Sequence, residues 1–240
     1  MKKTEIHIES TGSASLSPDI GRSGEDALVF IDALRTSNTI IALLHSGVAK
    51  VIPVSGVDEA RKMREEKKED NVIFAGERGG EKLDFCDYGN SPAEIIADRE
   101  KIKGKTAVVT TTNFTEIFER YKKYDCFKMV GSLLNLEGVK DIASSGRFKN
   151  VFLIPAGRRG EPAPEDEETA LYIKDYLEGK VRMEKTSDSL LDAYRGSESG
   201  SNLCKLGYED DVELCLKMNH TDIVPVFKDG YFTKCDDHGK

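Results

Sequence analysis

Asp32 closes the apolar run Ala27-Leu28-Val29-Phe30-Ile31, and Arg35 with the cluster Thr36-Ser37-Asn38-Thr39 follows at once, ahead of an apolar helical stretch. An acid and a base presented together at a strand end suit anion chemistry with a metal. Hydroxyls and backbone N–H groups at a helix N-terminus take phosphate oxygens, and guanidinium groups bind them in bidentate fashion. Aspartate and glutamate on neighbouring strand ends offer hard oxygen ligands to Mg²⁺. Four more strand ends carry similar residues. Glu77 and Arg78 follow one apolar run inside Gly-Glu-Arg-Gly-Gly, and Thr110-Thr111-Thr112-Asn113 follows the next. Gly131-Ser132 with Asn135 follows a third, and Ala-Gly-Arg158-Arg159-Gly-Glu a fourth. Taken singly, Asp32 reads as well as a capping acid, Thr110–Asn113 as a strand end with an N-cap, and Gly76–Gly80 as a surface turn. Their shared position points to a site, because ligands of open parallel sheets bind beyond the carboxyl ends of the strands.

The elements that must hold these residues alternate. Short β-branched runs are separated by amphipathic segments of helical length, as in "KVIPVS", "VDEARKMREEKKED" and "NVIFAG". "SPAEIIADRE" opens with a serine N-cap and a proline in the first turn. Such alternation predicts βαβ units, hence an α/β fold with a largely parallel or mixed central sheet. One domain over 1–240 is expected: an edge strand "EIHIES" and a flexible Gly/Ser lead-in up to residue 26, then a mostly helical elaboration over 180–219. A polar break is expected there at "RGSESGSN", and one or two strands around Asp229-Gly230 should close the chain.

A net charge of −8 and a pI near 5.2 argue against a nucleic-acid partner. No apolar run approaches membrane-spanning length, and the N-terminus has no apolar core of a signal peptide, so a cytoplasmic protein is expected. Five scattered cysteines with no CxxC read as free thiols, and no histidine pairs with a cysteine at zinc-ligand spacing. There is neither a GxxxxGK[ST] loop nor a GxGxxG turn. Leu34 stands where a haloacid-dehalogenase-type phosphatase would carry its second aspartate.

The same residues resemble the 2-phosphosulfolactate phosphatase family of coenzyme M biosynthesis. "VFIDALRTSNTI" looks like its strand–Asp–x–Leu–Arg elbow, and "AGERGGEKLDFCDYGNSPAE" is similar to its most specific block. "GKTAVVTTTN", "VGSLLN", "LGYEDDVELC" and "DIVPVF" follow in family order, so the resemblance runs from about Ala27 to Phe227. It implies an α/β/α fold and a Mg²⁺-dependent phosphatase, and it suggests a homodimer. It further implies metal or phosphate roles for Asp32 and Glu77, and anion contacts for Arg35, Arg78, Asn90, Thr110, Thr111, Thr112 and Asn113. Asp166 is the candidate for an additional metal or acid/base carboxylate.

The resulting expectation is a phosphomonoesterase for a small, highly anionic hydroxy-acid phosphate. Asp32 and Glu77 hold Mg²⁺, Arg35 and the Thr110–Asn113 turn cradle the phosphate, and Arg78 or Arg158 meets the carboxylate or sulfonate. Where the family continues with Gly-Thr-Arg, this chain has Phe114-Thr115-Glu116, expected to narrow the helix N-terminus and remove a positive charge. That departure motivates a second reading, a non-catalytic anion-binding or regulatory protein on the same scaffold. A metal-dependent aldolase or isomerase is a third.

Overall fold

The computed structural model describes residues 4–9, 20, 24–66, 71–181 and 187–235. Ten strands join in the order β1-β8-β2-β7-β9-β10-β3-β6-β4-β5. One parallel block comprises β1 (Glu5–Ile8), β8 (Asn150–Pro155), β2 (Asp26–Ile31) and β7 (Phe127–Val130). A second comprises β3 (Lys50–Pro53), β6 (Thr106–Thr110) and β4 (Val72–Arg78), whose end turns back into β5 (Glu81–Lys82). Between the blocks lies the hairpin β9 (Pro225–Lys228) and β10 (Tyr231–Lys234), antiparallel to β7 on one side and to β3 on the other. Its Asp229-Gly230 turn has φ of 54° and 92°. Two positive φ values match the right-handed twist of the strands they connect.

Three successive antiparallel pairings make the two blocks run in opposite senses, so a flat sheet would put their carboxyl ends on opposite rims. Twist removes the conflict. At roughly 20–25° per pairing, the five steps from β2 to β6 turn the second block through roughly 100–125°. The sheet therefore wraps around the helices on its inner face, α1 (Thr36–His45), α3 (Pro92–Ala97) and α5 (Phe114–Lys122). In α1 every residue from Thr36 to Leu44 is buried, as a helix enclosed on all sides requires. Strand alternation divides the core accordingly. Leu28 and Phe30 of β2 point inward, while Ala27, Val29 and Ile31 face the outer helices. In β6, Ala107 and Val109 point inward and Val108 outward.

The outer helices are α2 (Val57–Glu66) on the second block, and α6 (Leu136–Ala143), α7 (Pro164–Leu177), α8 (Asp188–Gly196), α9 (Glu198–Lys205) and α10 (Glu209–Cys215) on the first. A short α4 (Arg99–Ile102) follows α3. β1 forms the expected edge strand; most of the Gly/Ser lead-in lies outside the described residues. The break expected at 195–202 shrinks to the junction at Ser197, whose hydroxyl accepts Gly200 N–H at 3.0 Å and starts α9. Serine and glycine are weak helix formers, but here a cap and packing decide.

Candidate functional site

Where the carboxyl ends of the two blocks meet, a cavity of about 70 Å³ opens. A buried water needs ~10–15 Å³ on this measure, so the space suits a compact ligand. Its acidic wall comes from β2 and β4. Asp32 follows β2 and is buried, with Oδ1 accepting Thr36 N–H at 3.1 Å. Glu77, near the end of β4, accepts Thr112 N–H at 2.8 Å and Thr112 Oγ1–H at 2.9 Å on Oε1, and Gly80 N–H at 2.8 Å on Oε2. Its carboxylate thus ties the β4–β5 turn to the end of β6.

Burial raises the Asp32 pKa to about 6 against the opposing Thr36 hydrogen bonds, with the charges of Glu77 and Glu165 adding to it. Burial also lifts Asp166 well above the ordinary carboxylate range, helped by the charges of Asp32 and Glu165. Asp166 accepts Ala33 N–H at 2.7 Å and Gly157 N–H at 2.8 Å. It therefore clamps the turn after β2 to the loop after β8. Its neighbour Glu165, 2% exposed, keeps Oε2 buried without a partner among the described residues. Among the described residues no three His, Cys, Asp or Glu side chains converge as a metal cage.

The basic wall is the loop after β8. Arg158 and Arg159 both line the cavity. Arg158 Nη2 pairs with Glu198 at 2.7 Å, while its Nε is buried without a partner among the described residues. Arg159 takes a left-handed φ of 53°, and its N–H donates to Asn113 Oδ1 at 3.1 Å. Between the walls stand Asn90, whose Nδ2 donates to Thr36 Oγ1 at 3.2 Å, and Thr36 itself, which reaches Thr111 Oγ1 at 3.2 Å. Ser199, Asn202 and Leu203 of α9 close the remaining side.

Arg35 lines the cavity with its guanidinium already engaged. Nη1 forms a buried ion pair with Asp211, Nη2 meets Gly80 O at 3.3 Å, and the group lies 4.4 Å over the Tyr208 ring. The peptide between Leu34 and Arg35 is cis.

Of the eleven residues singled out by sequence, seven line this cavity: Asp32, Arg35, Glu77, Asn90, Thr112, Asn113 and Arg158. Arg78, Thr110, Thr111 and Asp166 do not, and stand behind it. Arg78 donates to Glu77 O at 2.6 Å and to Thr110 Oγ1 at 3.1 Å. Gly131, Ser132 and Asn135, after β7, stay out of the site; Ser132 and Asn135 form a reciprocal cap ahead of α6. In the opening cluster Thr36 reaches the cavity, whereas Ser37 accepts Asp32 N–H at 2.8 Å and Asn38 donates to Ala33 O at 2.7 Å. Phe114 does not narrow the helix N-terminus. Its side chain is fully buried beside Phe30, Phe118 and Phe232, and Glu116 pairs with Arg120 on the exposed face of α5.

Sequence reasoning passed over Asp211, Glu165 and the α9 wall. Asp211 reads as one of three acids opening a helix, Glu165 as part of an acidic run, and α9 as a polar break.

A family model described as 2-phosphosulpholactate phosphatase matches residues 17–230. A probable 2-phosphosulfolactate phosphatase of Caldanaerobacter subterraneus is 34% identical over 221 residues, covering 86% of this chain and 89% of that protein. The 2-phosphosulfolactate phosphatases of Methanocaldococcus jannaschii and Methanothermobacter thermautotrophicus are 32% and 36% identical, each covering 86% of this chain and, respectively, 91% and 89% of their own.

Proposed function

The chain belongs to the 2-phosphosulfolactate phosphatase family, and from that premise we propose its reaction: Mg²⁺-dependent hydrolysis of 2-phosphosulfolactate to sulfolactate and inorganic phosphate, a step of coenzyme M biosynthesis. The observation that carries this reading is the opposition, across one small cavity, of Asp32 and Glu77 to Arg158 and Arg159. A substrate with a phosphate ester, a carboxylate and a sulfonate has more negative charge than a single arginine matches. The guanidinium groups of Arg158 and Arg159 on the basic wall suit its acid groups, and the acidic wall suits a cation beside the phosphoryl group.

The donor set fits Mg²⁺, which takes one or two carboxylates and keeps several waters. Asp32 and Glu77, which both line the cavity, would hold it. When bound, Mg²⁺ supplies a Lewis acid for a phosphoryl oxygen and neutralises developing charge. The chain's own residues supply the rest. Burial raises the Asp32 pKa to about 6 in the metal-free chain, and a cation on that carboxylate favours its ionised form, so Asp32 serves as an anionic ligand beside the phosphoryl group. Arg35 and Asn90 border the acidic side and orient the phosphate. Arg158 and Arg159 receive the carboxylate or sulfonate, and α9 limits the length of acid admitted. No observation favours the non-catalytic reading, since the phenylalanine that prompted it sits in the core.

Incubation with 2-phosphosulfolactate and Mg²⁺, following phosphate and sulfolactate together, tests the reaction. One phosphate and one sulfolactate per substrate consumed is expected, stopped by EDTA and restored by Mg²⁺. Substrate consumption without phosphate release would indicate an isomerase or aldolase. Binding without turnover would favour the non-catalytic alternative.

A further inference from the structure

We propose that Asp211 is a positioning residue for this hydrolysis, fixing the Arg35 guanidinium at the cavity wall so that α10 sets the strength of anion binding. The proposal rests on the phosphatase reading for what Arg35 binds, and on geometry alone for how Arg35 is held.

Asp211 and Arg35 are 1% and 2% exposed and form an ion pair. Asp211 Oδ1 also accepts Ser91 Oγ–H at 2.8 Å and Ala93 N–H at 3.1 Å. One carboxylate thus joins three segments remote in sequence: the turn after β2, the start of α3, and α10. A side chain with five N–H groups has two of them engaged, by Asp211 and Gly80 O. The Tyr208 ring covers one face of the guanidinium. The other three donors have no partner among the described residues, and Arg35 lines the cavity. Stability alone is a poor reason for such an arrangement, because a buried ion pair is often matched or bettered by apolar side chains of similar volume. A planar cation held on one edge and one face, with its other donors unspent, is how a site pre-orders an anion contact.

A double-mutant cycle decides the matter, using wild type, Asp211→Asn, Arg35→Met and the double variant, each checked for a cooperative melt. Two readouts are taken: kcat and KM for phosphate release from 2-phosphosulfolactate, and Kd for inorganic phosphate in the presence of Mg²⁺. If Asp211 acts through Arg35, Asp211→Asn lowers kcat/KM by roughly 30-fold or more, mainly by raising KM, and weakens phosphate binding in parallel. With Arg35→Met already present, adding Asp211→Asn changes either readout less than about threefold. Asp211→Glu, which keeps the charge, recovers part of the loss. Should Asp211→Asn fail to fold, Arg35→Met/Asp211→Leu replaces the double variant, and the Asp211→Glu comparison carries the KM-against-kcat split. The proposal is overturned if the losses multiply, if a folded Asp211→Asn keeps wild-type KM and phosphate affinity, or if Asp211→Glu behaves no better than Asp211→Asn. If the wild type releases no phosphate from this substrate, the substrate assignment falls, and the cycle on phosphate binding still decides the role of Asp211.

Discussion

Asp32 carries an energetic cost that its position explains. A carboxyl moved from 3.8 to about 6 disfavours its own ionised form in the folded protein by roughly 3 kcal/mol at neutral pH. Between those two values the folded state binds more protons than the unfolded one, so this contribution to stability falls as pH rises from about 4 to about 6 and stays low above that. Asp32→Asn keeps an acceptor for Thr36 N–H and removes the buried charge. Thermal melts in EDTA should therefore show Asp32→Asn more stable than wild type at pH 7, with the gap closing by pH 4. At this scale the sequence was legible where a strand end names its residue, as with Asp32, Glu77 and Arg158. It was less legible one position further along, because neighbouring strand residues point to opposite faces. Arg78 beside Glu77 serves the backbone and Thr110 instead. Asp211 was illegible because its partner Arg35 lies 176 residues away.

Two elements close over the cavity, the β4–β5 turn and α9, and they lock together. Asn202 Nδ2 donates to Gly79 O at 3.0 Å, and Gly80 adopts a φ of +92°. A Cβ on Gly80 would lie 3.0 Å from both Asn202 Nδ2 and Leu206 Cδ1. Gly80→Ala combines a strained backbone with a tight contact. It should cost about 1–2 kcal/mol in denaturant titrations and lower kcat/KM by displacing the turn that Glu77 and Arg35 both touch. The Arg158–Glu198 pair works differently. Glu198 is exposed and occupies a guanidinium edge that a substrate acid could use. Glu198→Gln should lower KM a fewfold at unchanged kcat, with stability within about 0.5 kcal/mol of wild type; a raised KM would show that Glu198 orients Arg158 rather than competing for it. The β4–β5 glycines were readable as a turn, since φ values of 64° and 92° at Gly79 and Gly80 are what two glycines allow. α9 was not, because its helicity comes from the Ser197 cap and from packing rather than from the propensity of Glu-Ser-Gly-Ser-Asn.

Across the whole molecule, the site exists because a hairpin from the far end of the chain sits between two parallel blocks. Phe232 of β10 is fully buried among Phe114, Phe118 and Phe227, and β10 meets β3 at a single register pair, Phe232 with Val51. Phe232→Ala should cost about 3–5 kcal/mol of unfolding free energy and impair catalysis as well, by loosening the joint that brings Asp32 and Thr112 to one cavity. Loss of stability with unaltered kcat/KM would show that the blocks hold their relation without it. The alternation of strands and helices was plain in the sequence, since hydrophobic periodicity is local. Strand order was not, because it depends on pairings between distant segments and on accumulated twist. Among the described residues no helix is long and apolar enough to cross a membrane.

The most direct test is phosphate release from 2-phosphosulfolactate by wild type and Asp32→Asn, each with Mg²⁺ and with EDTA, alongside their melting curves. Turnover by wild type that requires Mg²⁺, with a folded Asp32→Asn slower by about 10²–10⁴-fold, is the predicted result. A folded Asp32→Asn within tenfold of wild type would contradict the account, because the reacting centre would then lie elsewhere.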